Sequence, residues 1–164
     1  MNMFLDKLPT GAERPHPYLA VYTLLHTLAH HVVHSVSEYS GLDLGSLNEY
    51  IFPADVAFVV YRNGMTMDLG KLSAMWRNQG RAFLSHLTDP KSLSCGLGML
   101  CSNRNGACPD CIMVPDVTCI AQNKILSRSI LIGDGMPRDV GFSTRIDGYF
   151  STARKRTQNQ VSNL

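Results

Sequence analysis

The sequence predicts an α+β fold that is mostly helical, with one long helix near the N-terminus and a short β segment ahead of a second helix. Three observations predict it. From Pro17 to about Tyr39, the residues Val21, Leu25, Leu28, Val32 and Val36 recur every three or four positions, the period of a helix with one apolar stripe. "ADVAFVVYR" at 54–62 is short, β-branched and aromatic, as strands are. All five cysteines fall between Cys95 and Cys119, in a Gly- and Asn-rich loop that reads as neither helix nor strand.

Taken in order, residues 1–16 read as an irregular arm broken by Pro9, Gly11 and Pro15. The long helix follows, and Gly41 is placed to end it in a left-handed turn. "LDLGSLNEYI" predicts a further short helical turn. Pro53 precedes the strand, and Asn63-Gly64 reads as the turn after it. A second helix is expected from Leu69 to about Leu87, capped by Asp68, with Leu72, Met75, Trp76, Gln79 and Phe83 roughly aligned and Asp89-Pro90 as the break. The cysteine loop spans 95–119. "AQNKILSRSILIG" at 121–133 predicts a short helix stopped at Gly133-Asp134-Gly135. Residues 17–150 thus form one domain, and 151–164 form a polar tail expected to be disordered.

A chain of 164 residues, 45% hydrophobic, can bury one real core without help from disulfides. Charged residues make up 17%, below the usual quarter, which hints at a face covered by a partner. The net charge of +2 is too small to argue nucleic-acid binding from the global field. No apolar run reaches the ~18 residues of a membrane span. The first residues lack the basic and apolar regions of a secretory signal. The expectation is a cytoplasmic protein. In that reducing compartment clustered cysteines bind metal more often than they pair, and an odd number suits a disulfide framework poorly.

Zinc takes four ligands in a tetrahedron, and Cys108-Pro-Asp-Cys111 supplies two from one tight turn. Cys101 and Cys119 flank that pair at distances loops can close, and Gly106 lets the chain turn back. The spacing therefore predicts one Zn²⁺ held by Cys101, Cys108, Cys111 and Cys119. Cys95 is then either spare, so that its loss is mild, or the first ligand in place of Cys101. Cys-Pro-x-Cys also suits a thioredoxin-type redox pair, but that pair belongs between a strand and a helix, not in such a loop. A zinc deaminase needs His-x-Glu, which the chain lacks.

His26, His30 and His34 lie at successive i, i+4 positions along the first helix, roughly opposite the apolar stripe. Two such histidines can share a metal. The metalloprotease pattern H-E-x-x-H, however, has Thr27 where its general base should be. The favoured reading is that these histidines pack against neighbouring segments or a partner.

The combination of "LHTLAHHVVHSVSEYSGL", a strand-and-helix middle, and "GACPDCI", a further cysteine and "NKILSRSILIG" resembles the MZB domain, the zinc-binding module named after the mitomycin repair factor A helicase. The resemblance covers roughly residues 18–133. Its zinc thiolates fall on Cys101, Cys108, Cys111 and Cys119. Such domains occur in DNA helicases and in the helicase-associated subunit of the DISARM anti-phage system. The resemblance therefore implies a partner helicase in trans, and a role in antiviral defence or DNA repair. The Gly-rich segment common after the family's strand is replaced here by "YRNGMTMDLGKL". The chain has no phosphate-binding G-x-x-x-x-G-K-[ST] loop, so no ATP hydrolysis is expected of it. The leading expectation is a non-catalytic binding module. Arg104, Lys124 and Arg128, with the tail cluster Arg154-Lys155-Arg156, are the candidates for phosphate contact. A purely structural protein-interaction subunit is the alternative, and a cysteine redox enzyme the third.

Overall fold

The computed structural model describes residues 17–64, 70–102, 106–133 and 147–153. The expected arm at 1–16, the Asp68 cap, Arg104 and the tail from 154 onward lie outside the described residues.

Helix α1 spans Pro17–Ser40 and runs through the middle of the molecule. Pro17 suits a first helical position, where no N–H is needed. Gly41, at φ 66°, donates back to the Ser37 carbonyl at 2.9 Å and ends the helix as expected. The helix is covered on more than its apolar stripe. Leu25, Ala29, Val33 and Val36 are buried, but so are Thr23, His26, Thr27, His30, His31 and Ser35. Buried hydroxyls are satisfied locally: Thr23 donates to the Leu19 carbonyl and Ser35 to that of His31.

After a 3-10 turn at Leu44–Ser46 come β1 (Leu47–Phe52) and β2 (Ala57–Arg62), paired antiparallel with Leu47 opposite Arg62 and Phe52 opposite Ala57. The expected helical turn over 42–51 is thus mostly strand. Its alternation is the reason: Leu47 and Glu49 point inward and are buried, while Tyr50 is exposed. The expected strand over 54–62 begins three residues late, because Pro53–Asp55 form a 3-10 turn that reverses the chain through left-handed Val56.

Helix α2 (Gly70–Thr88) packs against α1 through Met75 and Phe83, with Leu72 half-buried. Trp76 and Gln79, expected on the same stripe, are exposed. Two apolar clusters result. One joins α1, the hairpin and α2 around Val33, Leu47, Met75 and Phe83 and takes in Val114, Cys119 and Ala121. The other gathers Leu93, Ile112, Leu126, Leu131 and Phe150 against Leu24 and Leu28 of α1.

The cysteine segment contains one helical turn, α3 (Met99–Ser102). The helix expected over 121–133 is confined to α4 (Ser129–Ile132). Gln122, Asn123 and Ile125 are left-handed, which no right-handed helix allows.

His31 illustrates how the core uses α1. Its Nε2 donates to the Leu87 carbonyl at the end of α2, 3.1 Å away. Burial, reinforced by the neighbouring His86 and His34, lowers its pKa to about 4. A histidine kept neutral in the fold but free to protonate when unfolded contributes stability that is full above its ordinary pKa of about 6.5 and lost as pH falls towards 4. Thermal unfolding followed from pH 7 to pH 4 is therefore expected to show falling stability across that window. His31→Gln should flatten the slope there; an unchanged slope would assign the effect to another group.

Candidate metal centre

The structure builds a four-sulfur cluster from Cys95, Cys101, Cys108 and Cys111, whose Sγ atoms all lie within 4.8 Å of one another. Cys95 follows the 3-10 turn Pro90–Leu93, and Cys101 sits on α3. Cys108 and Cys111 share a tight turn in which the N–H groups of Cys111, Ile112 and Met113 all reach the Cys108 carbonyl at 3.1 Å. Gly106 brings the chain back to this turn. It is left-handed at φ 69° and donates to the Cys101 carbonyl, and a Cβ there would lie only 3.2 Å from Cβ of Arg128.

The Sγ separations are 3.5 Å for Cys95–Cys108, Cys101–Cys111 and Cys108–Cys111. Four thiolates at zinc–sulfur distances of about 2.3 Å stand about 3.8 Å apart, so the cluster needs only slight expansion to fit that ion. Burial, then the neighbouring Cys108 sulfur, raises the Cys101 thiol to about 11, and burial also raises Cys111. Cys95 goes the other way: burial opposes its ionisation, but hydrogen bonds from the Leu97 backbone and the adjacent thiols outweigh it. One negative charge on four close sulfurs discourages the next. A divalent cation reverses that order and deprotonates its ligands.

The sulfur that completes the cluster is Cys95, where the sequence reading favoured Cys119. The reason lies in the 3-10 turn at Asp116–Thr118, which carries Cys119 away from the cysteine loop and under α1. Its Sγ is 3.2 Å from His26 Nε2.

No known family model and no curated protein sequence matches the chain.

Of the two placements expected for the histidines, against neighbouring segments or facing a partner, the structure gives the first. His26 and His30 are wholly buried, and half-buried His34 donates from Nε2 to the Met113 carbonyl at 2.9 Å. Together they bind the helix to the cysteine-loop side of the fold. Thr27, in the place a protease glutamate would take, accepts the Ser127 N–H at 3.1 Å. Arg128, expected at a phosphate-binding surface, is buried, because the helix meant to display it does not begin until Ser129. Its Nη1 donates to the Leu93 carbonyl at 3.0 Å and its N–H to that of Gly106 at 3.2 Å, which ties the start of the cysteine loop to its middle. Lys124 is exposed.

A residue the sequence reading missed is Glu49. It is buried on the inner face of β1, and its Oε1 lies 2.9 Å from His26 Nε2 and 3.1 Å from His30 Nε2. Although burial opposes its charge, protons on the facing Nε2 atoms of His26 and His30 would hold its carboxyl near 2. Reading 47–52 as an alternating strand would have put Glu49 on the core side between Leu47 and Ile51. Tyr22 feels the same centre: burial, then the charges of Glu49 and Cys119, raise its hydroxyl to about 12.

Among the described residues, no helix is long and apolar enough to cross a membrane.

Proposed function

We propose that this chain is a non-catalytic zinc-binding module that associates in trans with a helicase or a related nucleic-acid-processing protein. The observation that carries the metal half of the proposal is the four-sulfur cluster. Four protein donors fill a tetrahedral shell and leave no coordination position for a substrate, as in structural zinc sites. Zinc bound there would lock 95–111 to the Arg128 segment and, through it, to α1. The partner half rests on the resemblance of the histidine helix and cysteine motif to the MZB domain. From that resemblance come helicase association and a role in antiviral defence or DNA repair. Lys124 and Arg104 are the nucleic-acid contacts this reading retains.

A second reading, a zinc-stabilised subunit that binds protein only, is favoured by one specific observation. The outer face of the hairpin presents Tyr50, Phe52, Val59 and Tyr61 to solvent, whereas Arg128 is withdrawn. A gel-shift titration of the full chain across salt separates the two. Direct contact predicts binding at low salt that falls steeply as salt rises and weakens with Lys124→Ala. No binding at any salt, with pull-down of a helicase intact, selects the protein-only reading. Failure of both would overturn the partner proposal.

A further inference from the structure

We propose that His26, His30, Glu49 and Cys119 form a second metal site, which takes a four-coordinate divalent transition metal of the zinc class and staples α1 to β1 and to the segment after the cysteine loop. The proposal is independent of the four-cysteine cluster and shares no residue with it.

His30 Nδ1 lies 2.9 Å from the Ile112 carbonyl, and His26 Nδ1 lies 3.4 Å from that of Ile125. A carbonyl only accepts, so in each ring Nδ1 carries the hydrogen and Nε2 of the neutral imidazole is a lone pair. Both Nε2 atoms converge on a carboxylate oxygen, and His26 Nε2 also meets a sulfur. The Cys119 thiol has at most one hydrogen to offer, so the remaining lone pairs face one another in a dry interior and repel unless something positive sits among them. A ring whose far nitrogen donates to a backbone carbonyl is the usual support of a metal-binding histidine.

Glu49 Oε2 is buried and has no hydrogen-bond partner among the described residues, a costly omission for a carboxylate. Oε1 is the oxygen that meets the histidines, so a metal bound there would neutralise the carboxylate and with it much of the cost of burying Oε2. The backbone beside the cluster is strained. Three of the four residues from Gln122 to Ile125 are left-handed, among them β-branched Ile125. This distorted loop directs the Asn123 N–H at Cys119 Sγ, 3.3 Å away, and places the Ile125 carbonyl at His26. The Asn123 side chain pins the loop to Val114 and Asp116. An N–H aimed at sulfur favours the thiolate, the form a metal needs.

Two imidazoles, one carboxylate and one thiolate, all buried, suit a tetrahedral zinc-class ion and suit calcium or magnesium poorly. Zinc-ligand bonds of about 2.0–2.3 Å set ligand atoms about 3.3–3.8 Å apart, so the short contacts here need to open by only a few tenths of an ångström.

Cadmium-113 NMR of the full chain loaded with ¹¹³Cd²⁺ tests this. Two resonances are expected, one at the four-thiolate position and one well upfield, typical of a mixed N/O/S shell. Cys119→Ala should erase the upfield signal and leave the other. If that variant does not fold, the wild-type spectrum still decides. A four-thiolate resonance alone overturns the proposal, and doubly protonated His26 and His30 in ¹⁵N spectra would then identify the cluster as an imidazolium–carboxylate network. The upfield resonance alone sustains the second site and overturns the four-cysteine reading instead. No resonance overturns both.

Discussion

Replacing Cys108 by serine is expected to release the metal of the four-sulfur cluster and to unfold at least the segment from 95 to 132. A serine hydroxyl stays protonated near neutrality and cannot stand in for a thiolate. In small zinc-binding peptides the metal contributes an apparent 10–16 kcal/mol, roughly, and that binding energy is folding energy. The cysteine loop has few alternatives to it. Among the described residues its regular structure is one α-helical turn and one 3-10 turn, and α4 is four residues long. Zinc content should fall, near-UV dichroism should weaken, and proteolysis should begin within 95–132. Much of the far-UV helical signal should persist, because α1 and α2 pack on each other through the hairpin-side core. Cys95→Ser is expected to act like Cys108→Ser, since its sulfur lies 3.5 Å from that of Cys108. From cysteine spacing alone that change is expected to be mild. Cys119→Ser should leave the four-sulfur metal bound. Metal retained in Cys95→Ser but lost from the cluster in Cys119→Ser would overturn the assignment.

The contrast between Cys95 and Cys119 marks what the sequence could and could not reveal. Elements governed by local period were legible. The long helix, its glycine stop and the second helix all follow from side chains recurring at 3.6 residues and from breakers beside them. The tight Cys108–Cys111 turn was legible for the same reason, because two residues between thiols fix their approach. Which other sulfurs join them depends on the path of the intervening chain. A 3-10 turn at Asp116–Thr118 and left-handed Gln122, Asn123 and Ile125 determine that path. Non-glycine left-handed residues carry little sequence signal, being held by tertiary contacts such as the Asn123 bridge to Val114. The misreading of 121–133 as helix has this origin, and it carried Arg128 to the surface in expectation. Glu49 was hidden by a different competition. "LGSLNEYI" reads acceptably as a helical turn, and only pairing with Ala57–Arg62 selects the alternation that turns its carboxylate inward.

Glu49→Ala is expected to be among the most destabilising single changes outside the cysteine loop, whatever cation occupies the centre it faces. The carboxylate is 5% exposed and lies within 3.1 Å of two fully buried imidazoles. Its removal leaves positive or lone-pair-bearing nitrogens without a partner in a site water does not reach, and opens a cavity under β1. Breaking a buried ionic cluster by deleting one member costs about 3–5 kcal/mol. For a domain of this size that corresponds to a fall in Tm of roughly 6–20 °C. Differential scanning calorimetry of the purified variant at neutral pH measures it directly. Glu49→Gln keeps the volume and one acceptor oxygen but not the charge, so its loss should be smaller and should isolate the electrostatic part. A shift within about 1 °C for Glu49→Ala would mean that Glu49 does not hold α1 against the hairpin. The comparison also reaches the histidines. Because His26 and His30 share one carboxylate oxygen, the effects of Glu49→Ala and His30→Ala should be strongly non-additive. A double variant close to the worse single one would show that the three residues act as one unit, joining the centre of α1 to the strand beside it.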